Sequence, residues 1–260
     1  MIPIRDHNPV SRRIVIVPVL VAINIVVFLF VQPTLRTFGD DSREAAVEQT
    51  VFVACTASIP YEVTHGRLVA DAPGGAVRGR IADVVGTVER ARCPDKNVWL
   101  SLLASMFLHG GLLHIGGNML FLIVFGNNIE DHLGATRFTL FYLLCGVAAT
   151  YGQALVNPNS AVPLVGASGA IAGVLGAYLL LYPRARVTTL VIVFFFITSL
   201  ELPAAIVLGL WLLIQVFQGV GSVTGSVGGV AYFAHLAGFL AGAILIKTIF
   251  APGPARRRLP

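Results

Sequence analysis

The feature that most limits how this chain can fold is the recurrence of apolar runs long enough to cross a bilayer. A spanning helix needs about 20 predominantly apolar residues. Such runs occupy 14–31, 103–127, 138–156 and 168–182, and another covers about 231–250. The stretch 187–218 is interrupted only by Glu201-Leu202-Pro203. Charge follows the same pattern, with 12% of residues Asp, Glu, Lys or Arg against about 25% in soluble domains. Disorder needs low hydrophobicity and high charge, so it is excluded together with an ordinary water-soluble globule.

The net charge of +5 raises the question of a nucleic-acid partner, and its distribution answers it. Residues 36–96 hold eight Lys/Arg and nine Asp/Glu, while the remainder holds ten and four. The basic residues outside the loop cluster at Arg5, Arg12 and Arg13, at Arg184 and Arg186, and at Arg256, Arg257 and Arg258. Each cluster abuts the end of an apolar run, as cytoplasmic anchors do. A nucleic-acid site would gather them on one face with aromatic platforms between. No nucleic-acid partner is expected, and the scaffold's partner is the lipid bilayer.

Topology follows from these anchors. The first run is long for a signal peptide, and no small-residue cleavage site follows it in Gln32-Pro33-Thr34-Leu35-Arg36. It reads as a retained span with its N-terminus inside. The fourth run ends at Pro183-Arg184-Ala185-Arg186 and the last near Arg256, both inside, so 187–218 supplies a single crossing. That crossing is placed at Pro203–Gln218, with Val187–Leu200 lying along or within the cytoplasmic face. The expectation is an all-α membrane protein of six transmembrane helices with both termini cytoplasmic. Its parts are a cytoplasmic start and first span (1–35), an extracytoplasmic loop or subdomain (36–97), a five-helix core (98–250) and a basic tail (251–260).

Polar residues inside such spans are costly and tend to mark function. Ser168 sits in Gly166-Ala167-Ser168-Gly169, where a loop becomes the fourth span. Two readings stand: a helix N-cap, or a nucleophile whose oxyanion a helix N-terminus would stabilise. His235 shares a helical face with Gly238 and Gly242 by i, i+3, i+7 spacing. If Gly169 and Gly173 pack against Gly238 and Gly242, as small residues allow, Ser168 and His235 meet near the outer end of both helices. His235 then reads as the base a serine hydroxyl needs, or as a structural histidine bonded to a neighbouring helix. His114 and Asn118 stand i, i+4 on a third helix, where paired donors suit a developing oxyanion. His109, His114 and His235 could converge on zinc, yet no His-Glu-x-x-His or cysteine pair accompanies them. No metal or cofactor is expected, and His109 reads as structural.

Together, HGGLLHIGGN at 109–118, GASG at 166–169 and AHLAG at 234–238 resemble the rhomboid family of intramembrane serine proteases, over about 99–247. The resemblance implies a six-helix bundle with its active site below the outer surface in a water-filled cavity. It implies Ser168 as nucleophile and His235 as general base, with His114, Asn118 and the Ser168 N–H forming the oxyanion hole. Gly166 would shape the turn before the nucleophile, with Gly169, His109 and Gly238 in support. The implied activity is serine endopeptidase, through an acyl-enzyme, on transmembrane protein substrates. The implied home is an integral position in a membrane, taken as the bacterial cell (inner) membrane, with the site opening to the extracytoplasmic side. The alternative is a non-proteolytic rhomboid-like binding protein or a transporter, although no internal repeat of the transporter kind is present.

Two family features are altered. The aromatic residue often found four positions after the serine is Ala172 here, which leaves Tyr232 or Phe233 as candidates for positioning His235. The Trp-Arg pair of the first loop is Trp99-Leu100. Gly219–Gly229, rich in glycine and free of charge, reads either as a cap over the site or as a passive linker. Cys55 and Cys93 lie in one loop and could form a bridge, and Cys145 reads as a packing residue.

Overall fold

The computed structural model describes residues 1–33, 43–72, 93, 95–193, 196–223 and 231–251. The tail cluster Arg256–Arg258 and most of Gly219–Gly229 lie outside them. The chain opens with strand β1 (Ile2–Asp6) and helix α1 (Ile16–Val26), which a π-helical turn (Val27–Val31) extends. Helices α2 (Arg43–Thr56) and α3 (Pro60–His65) form the following subdomain, and α4 (Val98–Ala104) leads into the bundle. Then come α5 (Leu112–Leu133), α6 (Ala135–Val156) and α7 (Ser168–Leu181), the hairpin β2 (Arg186–Val193) and β3 (Phe196–Pro203), and finally α8 (Ala204–Val223) and α9 (Tyr232–Lys247).

Three of these helices, at 112–133, 135–156 and 204–221, are long and apolar enough to cross a membrane. The helices at 16–31, 168–181 and 232–247 are apolar and shorter. Two of the shorter ones, α7 and α9, sit at the centre. Along α7 and α9 the glycines interlock, so a Cβ on Gly238 would run into the Gly169 carbonyl and one on Gly242 into that of Gly173. Only glycine allows backbones so close, and the packing register expected from the sequence is the one observed. Around this pair a continuous core gathers α1, α5, α6 and α7, including Leu122, Phe125, Phe141, Tyr142 and Leu175. Cys145 is buried within it as a free thiol.

The all-α expectation is corrected by a three-stranded antiparallel sheet in the order β1-β2-β3. Val187–Leu200, expected to lie along the membrane face, pairs residue for residue with itself, from Arg186 opposite Pro203 to Val193 opposite Phe196. Its β-branched residues (Val187, Thr188, Thr189, Val191) favour a pleated strand, and an apolar run cannot be told from a helix by periodicity alone. The 103–127 span is likewise redrawn. It breaks after a 3₁₀ turn at Ser105–Phe107, restarts at Leu112 and continues to Leu133.

That extension is possible because the buried Glu130 has partners. Its carboxylate accepts from the backbone N–H groups of Val15 (2.7 Å), Ile16 (2.8 Å) and Val17 (2.8 Å). It thereby caps the start of α1, where negative charge and acceptors are favourable. Asp131 does the same for the preceding segment, accepting from Ser11 and Arg12 N–H groups. These ties lie at the end of α5 opposite His114.

Candidate active site

The chain enters the site through a tight approach. Gly166 adopts φ +122, a conformation L side chains rarely take, and its N–H donates to the Ser105 carbonyl at 2.9 Å. Two residues later α7 begins. Ala167 occupies the cap position without a side-chain bond and Ser168 is the first helical residue, so the N-cap reading of Ser168 does not hold. Its N–H, at the first position, has no intrahelical acceptor.

Ser168 Oγ instead lies 2.8 Å from His235 Nε2. The glycine register of α7 and α9 produces that distance. On its other side, His235 Nδ1 lies 2.7 Å from Gln215 Oε1 on α8, and the Trp211 ring stands 6.0 Å away, tilted 39°. Ala172 is fully buried, and the histidine contacts come from α8, not from Tyr232 or Phe233.

His114 and Asn118 close the third side. The Gly110 N–H donates to His114 Nδ1 at 3.3 Å, which leaves Nε2 carrying the proton. A Cβ placed on Gly166 would lie 2.8 Å from His114 Nε2 and 3.4 Å from Asn118 Nδ2, so both donors converge on the space before Ser168. Asn118 Nδ2 is buried and has no hydrogen-bond partner among the described residues. His109 stands behind them, its ring edge-on to His114 at 5.2 Å. Its backbone is clamped by Gln32, which donates to the His109 carbonyl (3.0 Å) and accepts its N–H (2.9 Å).

His114, Asn118, Ser168, Trp211 and His235 border a cavity of about 880 Å³, with Pro60 of the subdomain at its edge. Among the described residues, no cluster of His, Cys, Asp or Glu suited to a metal is present. Four polar residues around the site escape a reading based on motifs: Gln215, Gln32, Ser105 and Gln153, whose Oε1 accepts the Ala234 N–H at 3.2 Å. Each is an isolated amide or hydroxyl in an apolar run. That isolation is the one signal the sequence carries for them.

A scaffold of apolar helices holding a serine and a histidine in hydrogen-bond contact beside a cavity defines the class: an integral membrane protein with a polar site among its helices. The sequence profile of the rhomboid domain matches residues 96–252, more than half of the chain, and the chain belongs to the rhomboid family. It is similar to Rhomboid protease GluP of Bacillus subtilis, 40% identical over 81 residues, covering 31% of this chain and 15% of the relative. RHOMBOID-like protein 5 of Arabidopsis thaliana is 34% identical over 95 residues, 36% of this chain and 30% of the relative. Rhomboid-like protein 11, chloroplastic, of the same plant is 30% identical over 154 residues, 57% and 51% respectively. The chain thus spans about half or less of the length of each of these relatives.

Proposed function

We propose that this chain is an intramembrane serine endopeptidase that cleaves transmembrane proteins through a Ser168–His235 dyad. The observation that carries the reading is the 2.8 Å contact between Ser168 Oγ and His235 Nε2 at the border of a cavity. His235 takes the Ser168 proton as the hydroxyl attacks the scissile carbonyl, then returns it to the leaving amine. Asn118 Nδ2, His114 Nε2 and the Ser168 N–H receive the oxyanion. Water entering the cavity then hydrolyses the acyl-enzyme.

The substrate class is taken from the rhomboid family, and helix chemistry argues where such a substrate is cut. An intact helix hides its carbonyls in internal hydrogen bonds, so cleavage occurs where a substrate helix unwinds near its end. The proposed topology is six spans with both termini cytoplasmic and the cavity opening outward, divided at 1–35, 36–97, 98–250 and 251–260. The proposed home is a bacterial cell membrane. Some relatives carry mitochondrial or chloroplastic names, so family membership alone does not select that membrane.

Covalent trapping tests the nucleophile. Purified protein incubated with a fluorophosphonate is expected to carry the adduct on Ser168 by peptide mass analysis, with labelling lost in His235→Ala. An adduct on another residue, or undiminished labelling in His235→Ala, contradicts the dyad.

A further inference from the structure

The histidine at the centre of the site is held by a residue that none of the three motifs contains. Gln215 is buried on a helix whose neighbouring residues Leu213, Ile214, Val216 and Phe217 are exposed apolar groups. A buried amide is unfavourable without hydrogen bonds, and Gln215 Oε1 finds its partner in His235 Nδ1 at 2.7 Å. Trp211, one helical turn earlier, presents its ring to the same imidazole. From the opposite helix, Ala172 offers no ring at all.

We propose that Gln215 is the positioning residue for His235, fixing its tautomer as the carboxylate does in a Ser-His-Asp triad; the proposal rests on the protease reading above. To accept the Ser168 proton, Nε2 must present a lone pair, so the neutral ring carries its hydrogen on Nδ1. That buried N–H needs an acceptor, and Gln215 Oε1 is the one in place. Without it, the favoured tautomer donates from Nε2 to Ser168 Oγ and cannot deprotonate it. α8 carries no ionisable side chain. On α5, His114 is the titratable group that faces the same cavity as His235.

The experiment uses the full chain with a transmembrane substrate and the variants Gln215→Met and Gln215→Glu. Turnover is measured across pH beside ¹⁵N-histidine spectra and thermal stability. Gln215→Met is expected to lower kcat about 10- to 1,000-fold, below the ~10⁴ that a wrong tautomer costs an acidic triad. KM stays within about 2-fold, and His235 shifts toward the Nε2-protonated form. Gln215→Glu is expected to recover most turnover. It also moves the acid limb of the kcat profile to higher pH by about one unit or more, because a carboxylate there favours the imidazolium. Wild-type kcat and tautomer in Gln215→Met, or an unmoved acid limb in Gln215→Glu, overturns the proposal. If Gln215→Met does not fold, the Gln215→Glu profile decides. The ¹⁵N readout requires no turnover. A wild-type protein that cleaves nothing therefore refutes the protease reading, while an unchanged tautomer in Gln215→Met refutes this one.

Discussion

Gly166 bears two demands at once: a backbone conformation with φ +122, and an empty space where a Cβ would press on His114 Nε2 and approach Asn118 Nδ2. Gly166→Ala is therefore expected to reduce turnover at least about 100-fold, the scale of losing one oxyanion donor. Its melting temperature should fall by only a few degrees, and a fully active variant would contradict the geometry. Asn118→Ala removes a donor outright and should lower kcat about 10²–10³-fold with KM little changed, as initial rates will show. That Ser168, His235, His114 and Asn118 border one cavity was readable from sequence because polar side chains are conspicuous in apolar helices, and because glycine spacing set which helices meet. Gln215 was not, since one amide in an apolar helix carries no spacing that names its partner. Only the fold brings α8 alongside α9.

Among the helices and strands, what decides position is where backbone groups and small residues find partners. Glu130 is the clearest case, a carboxylate within an apolar helix that ends up accepting the N–H groups of Val15, Ile16 and Val17 at the start of α1. Glu130→Ala leaves those donors, the buried Val17 N–H among them, without their acceptor and should cost about 2–3 kcal/mol, read as a lower melting temperature in detergent. A variant with unchanged melting temperature would show that the cap contributes little. From sequence, Glu130 looks like the end of a span, because its partners lie more than a hundred residues away. The β2–β3 hairpin is hidden for a different reason. Its run of Val, Thr, Ile and Phe suits a strand or a buried helix equally, and pairing with β1 is a long-range choice. The α7–α9 contact, by contrast, is visible in advance because both helices carry small residues four apart.

At the scale of the whole molecule, the subdomain of α2 and α3 is stitched to the loop that leads into Ser168. Leu164 N–H donates to the Ser58 carbonyl at 2.8 Å and Tyr61 N–H to the Ser160 carbonyl at 3.0 Å, while Ser105 Oγ accepts the Ser58 N–H. A Cys55–Cys93 disulfide closes the subdomain, as the two-cysteine reading allowed. A buried Lys96–Glu62 ion pair lies beside it. Burial pulls the Lys96 ammonium below its usual range despite the opposing pull of Glu62. Replacing both bridge cysteines by alanine is expected to cost about 2–4 kcal/mol and to raise hydrogen exchange across 55–72 and 157–166 together. Faster exchange in 55–72 alone would show that the stitching does not couple them. The central claim is that the membrane-embedded Ser168–His235 pair hydrolyses peptide bonds. It is tested most directly by reconstituting the full chain in liposomes with a transmembrane substrate and following cleavage by wild type, Ser168→Ala and His235→Ala. Cleavage by wild type and none by either variant is predicted, whereas cleavage retained in Ser168→Ala, or absent from folded wild type, would contradict the account.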